Sequence, residues 1–231
     1  MAGALRVPWL AQHQRGALLR SGLHDPVGDQ TIGGFLDQLA ERVPAPGGGA
    51  VAALHAAQAA ALLGMVARYS DGSRYAEHAK TISRILQEAD ALRREALRLA
   101  EADAVAFTAV ADAYRLSKDT DEDKATRSAA IAAALVAAAE PPALVIAVAS
   151  RLVVLAEELS PVGNPNVITD VAAAEAARAA ATTARVNVEV NLTGITDPGA
   201  RARLAEAAAG VDALVAQAER VTTVVRERIA K

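Results

Sequence analysis

The stretch PAPGGGAVAAL, residues 44–54, joins an irregular segment to a long run of small apolar residues. Its two prolines disfavour regular structure up to Pro46, and three glycines follow directly. From there to Ala67 the chain carries no Asp, Glu, Lys or Arg and is rich in alanine, the strongest helix former. The stretch therefore predicts a loop that leads into a buried helix, and with it an all-α fold.

The start of this helix is also a candidate binding site. The first amide groups of a helix have no intrahelical partners and carry partial positive charge. We therefore predict that Gly47, Gly48 and Gly49 cradle a carboxylate, a phosphate or a developing oxyanion. The alternative is that the glycines only allow two helices to pack closely.

The composition agrees with a helical protein. The chain has 231 residues, of which 52% are hydrophobic and only 3% aromatic. Runs of Val, Ile and aromatic residues at period two are scarce, which argues against a sheet. A core of small side chains buries little apolar area per residue, so we expect further burial between subunits, most simply in a homodimer.

Charge and residue usage exclude several classes of protein. The net charge is -3, without the basic footprint of a nucleic-acid binder. Cysteine is absent, which fits a cytoplasmic protein, and the four histidines show no metal-ligand spacing, so we expect no metal site. The uncharged run at residues 47–67 has the length of a membrane span, but its polar residues and many alanines favour a buried helix and no membrane.

Helix-stop and helix-start signals divide the chain into an N-terminal arm, residues 1–30, and one helical domain, residues 31–231. We expect a single-domain bundle of about seven helices, one of them very long. The predicted helices are Thr31–Arg42, Gly48–Tyr69, Ser73–Leu116, Asp121–Ala139, Pro141–Leu159, a helix capped by Asn166 or Thr169 that ends at Leu192, and a last helix from Asp197-Pro198 to the C-terminus.

The long third helix has an apolar stripe with one charged member. The stripe steps by three and four residues through Ile82, Ile85, Ala89, Leu92, Ala96, Leu99, Asp103, Ala106, Val110 and Ala113. A carboxylate facing the core is costly unless it is paired or protonated, and its pKa is often raised. Asp103 is therefore a candidate general acid or base, the alternative being a structural ion pair or helix cap.

A second stripe, on the sixth helix, carries polar residues at both ends of an alanine surface. It runs through Asp170, Ala173, Ala177, Ala180, Ala184, Asn187 and Asn191. The two asparagines can read the amide edge of a heterocycle or tie down neighbouring backbone. On the second helix, His55 and Gln58 are placed on an inner face with Val51, Leu62 and Tyr69, where they are possible site residues or satisfied interior groups.

Taken together, these segments resemble the cyclodeaminase/cyclohydrolase family of folate one-carbon enzymes over about residues 31–200. The resemblance rests on Phe35–Ala40, Pro44–Leu54, Asp103–Phe107, Lys118 with Arg127, Gly163-Asn164, Thr169-Asp170, Asn187–Leu192 and Asp197. It implies an all-helical dimer with a folate site built from the glycine-rich loop, the Asp of the long helix and the Asn-containing segments.

The resemblance assigns roles that we state as expectations. Asp103 and Asp170 are the expected catalytic residues, with Asp103 as general acid/base. Asn164, Asp170 and Asn191 would bind the pterin or orient water, and Lys118 or Arg127 would meet the glutamate tail. Asn187 is expected as a further substrate-binding residue. A tetrahydrofolate derivative would be the substrate, with no tightly bound cofactor.

Two reactions fit this assignment equally well. In cyclodeamination, N10 attacks a formimino carbon on N5 and ammonia leaves; in cyclohydrolysis, water attacks the methenyl carbon and the ring opens. Both need a proton shuttle. The alternatives are a non-catalytic folate- or ligand-binding helical protein, a family member diverted to another substrate, and a purely structural helical oligomer.

Overall fold

The computed structural model of the protein describes residues 26–167 and 170–230, apart from the side chains of 170–172. Most of the predicted arm and the predicted cap Thr169 lie outside the described residues. The described chain is helical and contains no strand. Its elements are α1 (Ile32–Ala40), α2 (Gly48–Arg68), a 3-10 helix (Ser73–His78), α3 (Ala79–Arg115), α4 (Asp121–Leu159), α5 (Asp170–Leu192), α6 (Pro198–Ala209) and α7 (Val211–Ile229).

Helix α2 lies at the centre of the fold. It packs along both α3 and α5 and contacts α4 diagonally. Its inner side consists almost wholly of buried alanines, among them Ala52, Ala53, Ala56 and Ala60. Because these side chains are short, three helices can approach one central helix closely, which is how a chain poor in aromatic residues forms a dense core.

Helices α2 to α5 run alternately up and down. Gly64 lies beside Leu86 and Asp90 of α3, whereas Gly49 lies beside Asp103, so α2 and α3 are antiparallel. Arg151 of α4 donates to Glu88 of α3 at 2.8 Å, whereas Glu158 of α4 accepts from Arg84 of α3, so α3 and α4 are antiparallel. Helix α7 covers α5 and α4.

The two predicted apolar stripes are confirmed. On α3, Ile82, Ile85, Ala89, Ala96 and Leu99 are buried, and Val110 and Ala113 continue the stripe. On α5, the alanines at 173, 177, 180 and 184 are all buried. These stripes fix which side of each helix faces α2, and so fix where Asp103 and Asn187 lie.

The prediction of two helices between Asp121 and Leu159 is wrong, because α4 is one helix of 39 residues. Thr120 starts it with a capping box, its side chain accepting from the Asp123 N–H while the Asp123 carboxylate accepts from the Thr120 N–H. Pro141 and Pro142 lie inside the helix. Proline removes an intrahelical hydrogen bond, but packing on both sides of the pair holds the helix together.

Three other helix predictions need correction. The last helix is divided at Gly210 into α6 and α7. The third begins with a 3-10 turn, preceded by Gly72 at φ 87, where glycine is required. Thr31 does cap α1, accepting from the Gly34 N–H, but α1 ends at Ala40 rather than Arg42.

Two helices pass a length-and-composition test for crossing a membrane: Gly48–Arg68 and Asp121–Leu159. In α2, 61% of the apolar window is buried inside the protein, as in the core helix of a soluble fold. In α4 the buried share is 39%. One or two such helices are weak evidence for a membrane protein.

Candidate active site

The candidate site is the N-terminus of α2, where α3 places Asp103 against the glycine-rich loop. The Asp103 carboxylate accepts a hydrogen bond from the backbone N–H of Ala50. The Ala50 amide, which directly follows the three glycines predicted to hold an anion, therefore binds a carboxylate of the protein itself. A negative group at this position also complements the partial positive charge of the helix end.

Asn187 of α5 lies on the other side of the same helix end. A Cβ added at Gly48 would be 3.1 Å from Asn187 Nδ2 and 3.4 Å from Oδ1, so the two residues are in close contact. Asn187 donates through Nδ2 to the Thr183 carbonyl at 2.9 Å, and Asn191 donates to the Asn187 carbonyl at 2.9 Å. Among the described residues, no donor lies within hydrogen-bonding distance of Asn187 Oδ1 or Asn191 Oδ1, so both oxygens can accept from a ligand.

Burial raises the pKa of Asp103 to about 6, and the hydrogen bond from Ala50 opposes this rise. A carboxyl with this pKa exchanges its proton near neutral pH, which is what an acid/base catalyst requires. The prediction of an unusual carboxylate in an otherwise apolar stripe is therefore supported by its surroundings.

The three glycines differ in what requires them. A Cβ at Gly49 would overlap the Asp103 carboxylate, being 2.6 Å from Oδ2 and closer still to Oδ1. A Cβ at Gly48 would be tight against Asn187, and one at Gly47 would meet nothing within 4 Å. None of the three has a positive φ. Space for Asp103, rather than freedom to turn, explains Gly49.

Arg127 lies beyond this helix end, at the start of α4. It donates to the Tyr114 carbonyl from Nη2 at 3.2 Å, and its guanidinium carbon lies 5.6 Å from the centre of the Tyr114 ring. No ion pair among the described residues involves Arg127 or Lys118. Lys118 is exposed in the loop between α3 and α4.

Two predicted site residues lie at the opposite end of α2. The Asn164 N–H donates to Ser70 Oγ at 2.8 Å, and its Nδ2 donates to the Tyr69 carbonyl at 2.8 Å. Asp170 is the first residue of α5, about 25 Å along that helix from Asn187; its side chain is not among the described ones. Within one chain, therefore, neither residue joins the group around Asp103.

His55 and Gln58 are not on an inner face of α2, contrary to our expectation. Gln58 is exposed and His55 half-buried, and Tyr69 of the same stripe is 60% exposed. The inner side is taken by alanines, because only they let α3 and α5 come close. In the described part of the chain, no group of three or more His, Asp or Glu side chains could hold a metal ion.

Sequence reasoning missed the pairing of Gly49 with Asp103 and the role of Tyr114 as the partner of Arg127. The pairing of Gly49 with Asp103 depends on the register between α2 and α3, which a single sequence does not predict. The second had a weak signal, since an aromatic residue is notable in a chain with only three tyrosines.

Comparison with known proteins identifies the family of the chain. Residues 31–210 match the family model described as formiminotransferase-cyclodeaminase. A methenyltetrahydrofolate cyclohydrolase of Methylorubrum extorquens is 38% identical over 208 residues, 87% of this chain and 99% of that protein. The mouse formimidoyltransferase-cyclodeaminase is 34% identical over 179 residues; these cover 77% of this chain but 33% of the mouse protein, so the chain spans about a third of that relative.

A solved structure has the same fold. The formiminotetrahydrofolate cyclodeaminase of Thermotoga maritima superposes with a TM-score of 0.77 at 30% sequence identity, covering 89% of this chain and 100% of that one. The family model covers more than half of the chain, and the bacterial relative matches it over nearly its whole length. The chain therefore belongs to the formiminotransferase-cyclodeaminase family.

Proposed function

We propose that the protein is a folate one-carbon enzyme that interconverts formimino-, methenyl- or formyl-tetrahydrofolate by cyclodeamination or cyclohydrolysis. The observation that carries this proposal is the Asp103 carboxyl, half-buried against the first turn of α2 with its pKa raised to about 6. Family membership supplies the substrate class.

The charge of the site suits this substrate. The methenyl carbon lies between two nitrogens as an amidinium cation, and a protonated formimino group has the same character. A carboxylate in a partly desolvated site attracts such a cation more strongly than one in water. Asp103 would thus hold the reacting carbon before it handles a proton, and the nearby Asn187 and Asn191 oxygens would accept from N–H groups of the pterin.

In the hydrolytic direction, the Asp103 carboxylate takes a proton from water while the water oxygen bonds to the methenyl carbon. The tetrahedral intermediate then loses one carbon–nitrogen bond, and Asp103 gives its proton to the departing nitrogen. The hydroxyl releases its own proton to solvent as it becomes the formyl carbonyl. In cyclodeamination N10 replaces water as the nucleophile, and Asp103 returns the proton to the leaving ammonia. The carbon keeps its oxidation level throughout, so the proposal includes no redox cofactor.

Of the two reactions, we infer that cyclohydrolysis is the main one. The support is the difference in identity between two relatives of matching length: the one named a cyclohydrolase is 38% identical, and the one named a cyclodeaminase is 30% identical. We also retain the expectations of a homodimer and of a cytoplasmic location as predictions.

The test is to supply the purified protein with 5,10-methenyltetrahydrofolate and, separately, with 5-formiminotetrahydrofolate. Loss of the methenyl absorbance in the first assay shows cyclohydrolysis, and its appearance in the second shows cyclodeamination. The rate must exceed that without enzyme and must fall with Asp103→Asn. A protein that turns over neither folate would refute the proposed function.

A further inference from the structure

The face of α3 that packs against α2 extends past the N-terminus of α2. Along most of its length this face lies against α2, and Ala96 and Ala100 on it are fully buried. Asp103 is opposite the first turn of α2. The twelve residues of α3 that follow Asp103 extend about 18 Å past that point. Beyond Asp103 the same face therefore has no α2 to cover it.

Two aromatic residues lie on the part of this face that extends past α2, where Val110 is still buried. Phe107 follows Asp103 by one helical turn, and Tyr114 follows Phe107 by two. They are 47% and 53% exposed, although the chain has only two phenylalanines and three tyrosines. Long helical side chains lean toward the N-terminus of their helix, so the Phe107 ring is directed toward Asp103.

The far end of this face carries a positive charge. Arg127 is held at Tyr114 by the hydrogen bond to the Tyr114 carbonyl and by the contact with its ring. With the guanidinium held there, its remaining N–H groups are pre-oriented for a carboxylate. Along α3 the order is then a carboxylate at Asp103, an aromatic ring at Phe107 and a cation at Arg127.

Tetrahydrofolates have the same order of groups. The reacting carbon bridges N5 and N10, an aromatic ring is attached to N10, and a glutamate with its carboxylates follows that ring. We propose that Phe107 is the aromatic surface on which the substrate's benzoyl ring stacks, while Arg127, held by Tyr114, binds the glutamate carboxylate. This inference rests on the proposed function and assigns Phe107 a role in substrate binding.

The first test compares Phe107→Leu and Phe107→Tyr with the wild-type enzyme. Loss of the ring is expected to raise KM about five- to tenfold, with kcat changed less than about twofold. Phe107→Tyr restores KM because it keeps the ring. Tyr69→Leu is the matched control: it also replaces an exposed aromatic residue, but at the other end of α2, and is expected to leave KM unchanged.

The second test uses a substrate without the glutamate, 5,10-methenyltetrahydropteroate. Wild-type enzyme is expected to bind it about tenfold more weakly than the complete folate. Arg127→Gln should bind both equally weakly, because the interaction with the carboxylate is already lost. Asp103→Asn, in contrast, should lower kcat and keep the preference for the complete folate.

The outcomes separate this inference from the proposed function. If wild-type enzyme is active but Phe107→Leu keeps its KM, Phe107 does not contact the substrate and the inference fails alone. A change of sedimentation coefficient in Phe107→Leu with unchanged KM would place the residue in a subunit contact, which also overturns it. If wild-type enzyme turns over neither folate, the proposed function fails first.

Discussion

Asp103 keeps its position because Gly49 has no side chain. The carboxylate occupies the space that a Cβ at Gly49 would need, and from there it accepts the Ala50 N–H. Removal from water raises the pKa of this carboxyl, so its chemistry follows from where α2 and α3 touch. The absence of a Cβ at Gly49 therefore determines both the position and the proton affinity of the Asp103 carboxyl.

Asp103→Asn is expected to lower kcat about a hundredfold or more, the usual contribution of a positioned acid/base group. The amide oxygen can still accept from Ala50, so the fold should be kept. Circular dichroism verifies folding, and the methenyl absorbance assay measures turnover. Full activity in this variant would make Asp103 a structural residue.

The same variant should change the pH dependence of stability. The pKa of Asp103 rises from 3.8 to about 6 on folding, so the folded state binds this proton more tightly than the unfolded state. The ionised carboxyl then costs stability above pH 6, on the order of 3 kcal/mol at most, and costs nothing below about pH 4. In calorimetry, the Tm of Asp103→Asn should therefore be higher than that of wild type at pH 7.5 and equal to it at pH 4.

The glycines of the loop provide a graded series. Gly47→Ala should be near neutral, Gly48→Ala should weaken folate binding modestly by displacing Asn187, and Gly49→Ala should reduce kcat most by displacing Asp103. Kinetics and thermal unfolding of the three variants give the ranking. Equal activity in Gly49→Ala and Gly47→Ala would show that Asp103 can move without consequence.

At the scale of residues, the sequence predicted which single residues are unusual, but not which residues of different helices contact each other. Asp103 is predictable because helical spacing places it among residues that are all apolar. Its contact with Gly49 and the contact of Asn187 with Gly48 depend on how far one helix slides along another, which alanine-rich surfaces leave nearly unspecified. Asn164 and Asp170 were grouped with Asp103 by resemblance, and one chain places them at the other end of α2.

Among the elements, several helix ends were predicted correctly, both with a capping side chain and, as at Gly48 and Leu159, without one. Thr31 and Thr120 cap α1 and α4 as local rules require. The break expected at Pro141 fails because tertiary contacts outweigh the local cost of proline: Leu135, Ala138 and Ala139 before it and Val145 after it are buried. A rule based on one residue and its neighbours does not contain those contacts.

The end of α2 gives a prediction at this scale. Asn164 donates its backbone N–H to Ser70 Oγ and its side-chain amide to the Tyr69 carbonyl, tying the loop after α4 to the C-terminus of α2. Asn164→Ala should lower the free energy of unfolding by about 1 kcal/mol. Asn166→Ala, in the same loop, is the control for urea denaturation. A fall in kcat without loss of stability would instead favour the substrate-binding role expected from resemblance.

For the whole molecule, composition together with helical spacing predicted the fold class. Alanine-rich stripes at helical spacing leave no pattern for a sheet, and the described chain contains helices and no strand. Composition also predicts a homodimer, since small side chains bury little area within one subunit. Sedimentation at micromolar concentration should show a dimer that resists dilution. A monodisperse, heat-stable monomer would contradict this expectation.

The paired prolines inside α4 have a consequence for how this helix opens. Neither Pro141 nor Pro142 has an amide proton, so the hydrogen-bond ladder is interrupted between Glu140 and Ala143. The fully buried residues of α4 begin only at Leu135, and before it Ile131 and Ala134 are partly buried against the core. In hydrogen–deuterium exchange, α4 should therefore behave as two cooperative units, with residues 121–134 exchanging rapidly and residues 143–159 only on global unfolding. The segment that carries Arg127 would then open and close locally while the core stays folded. A long substrate would enter through this local opening without unfolding of the helical bundle.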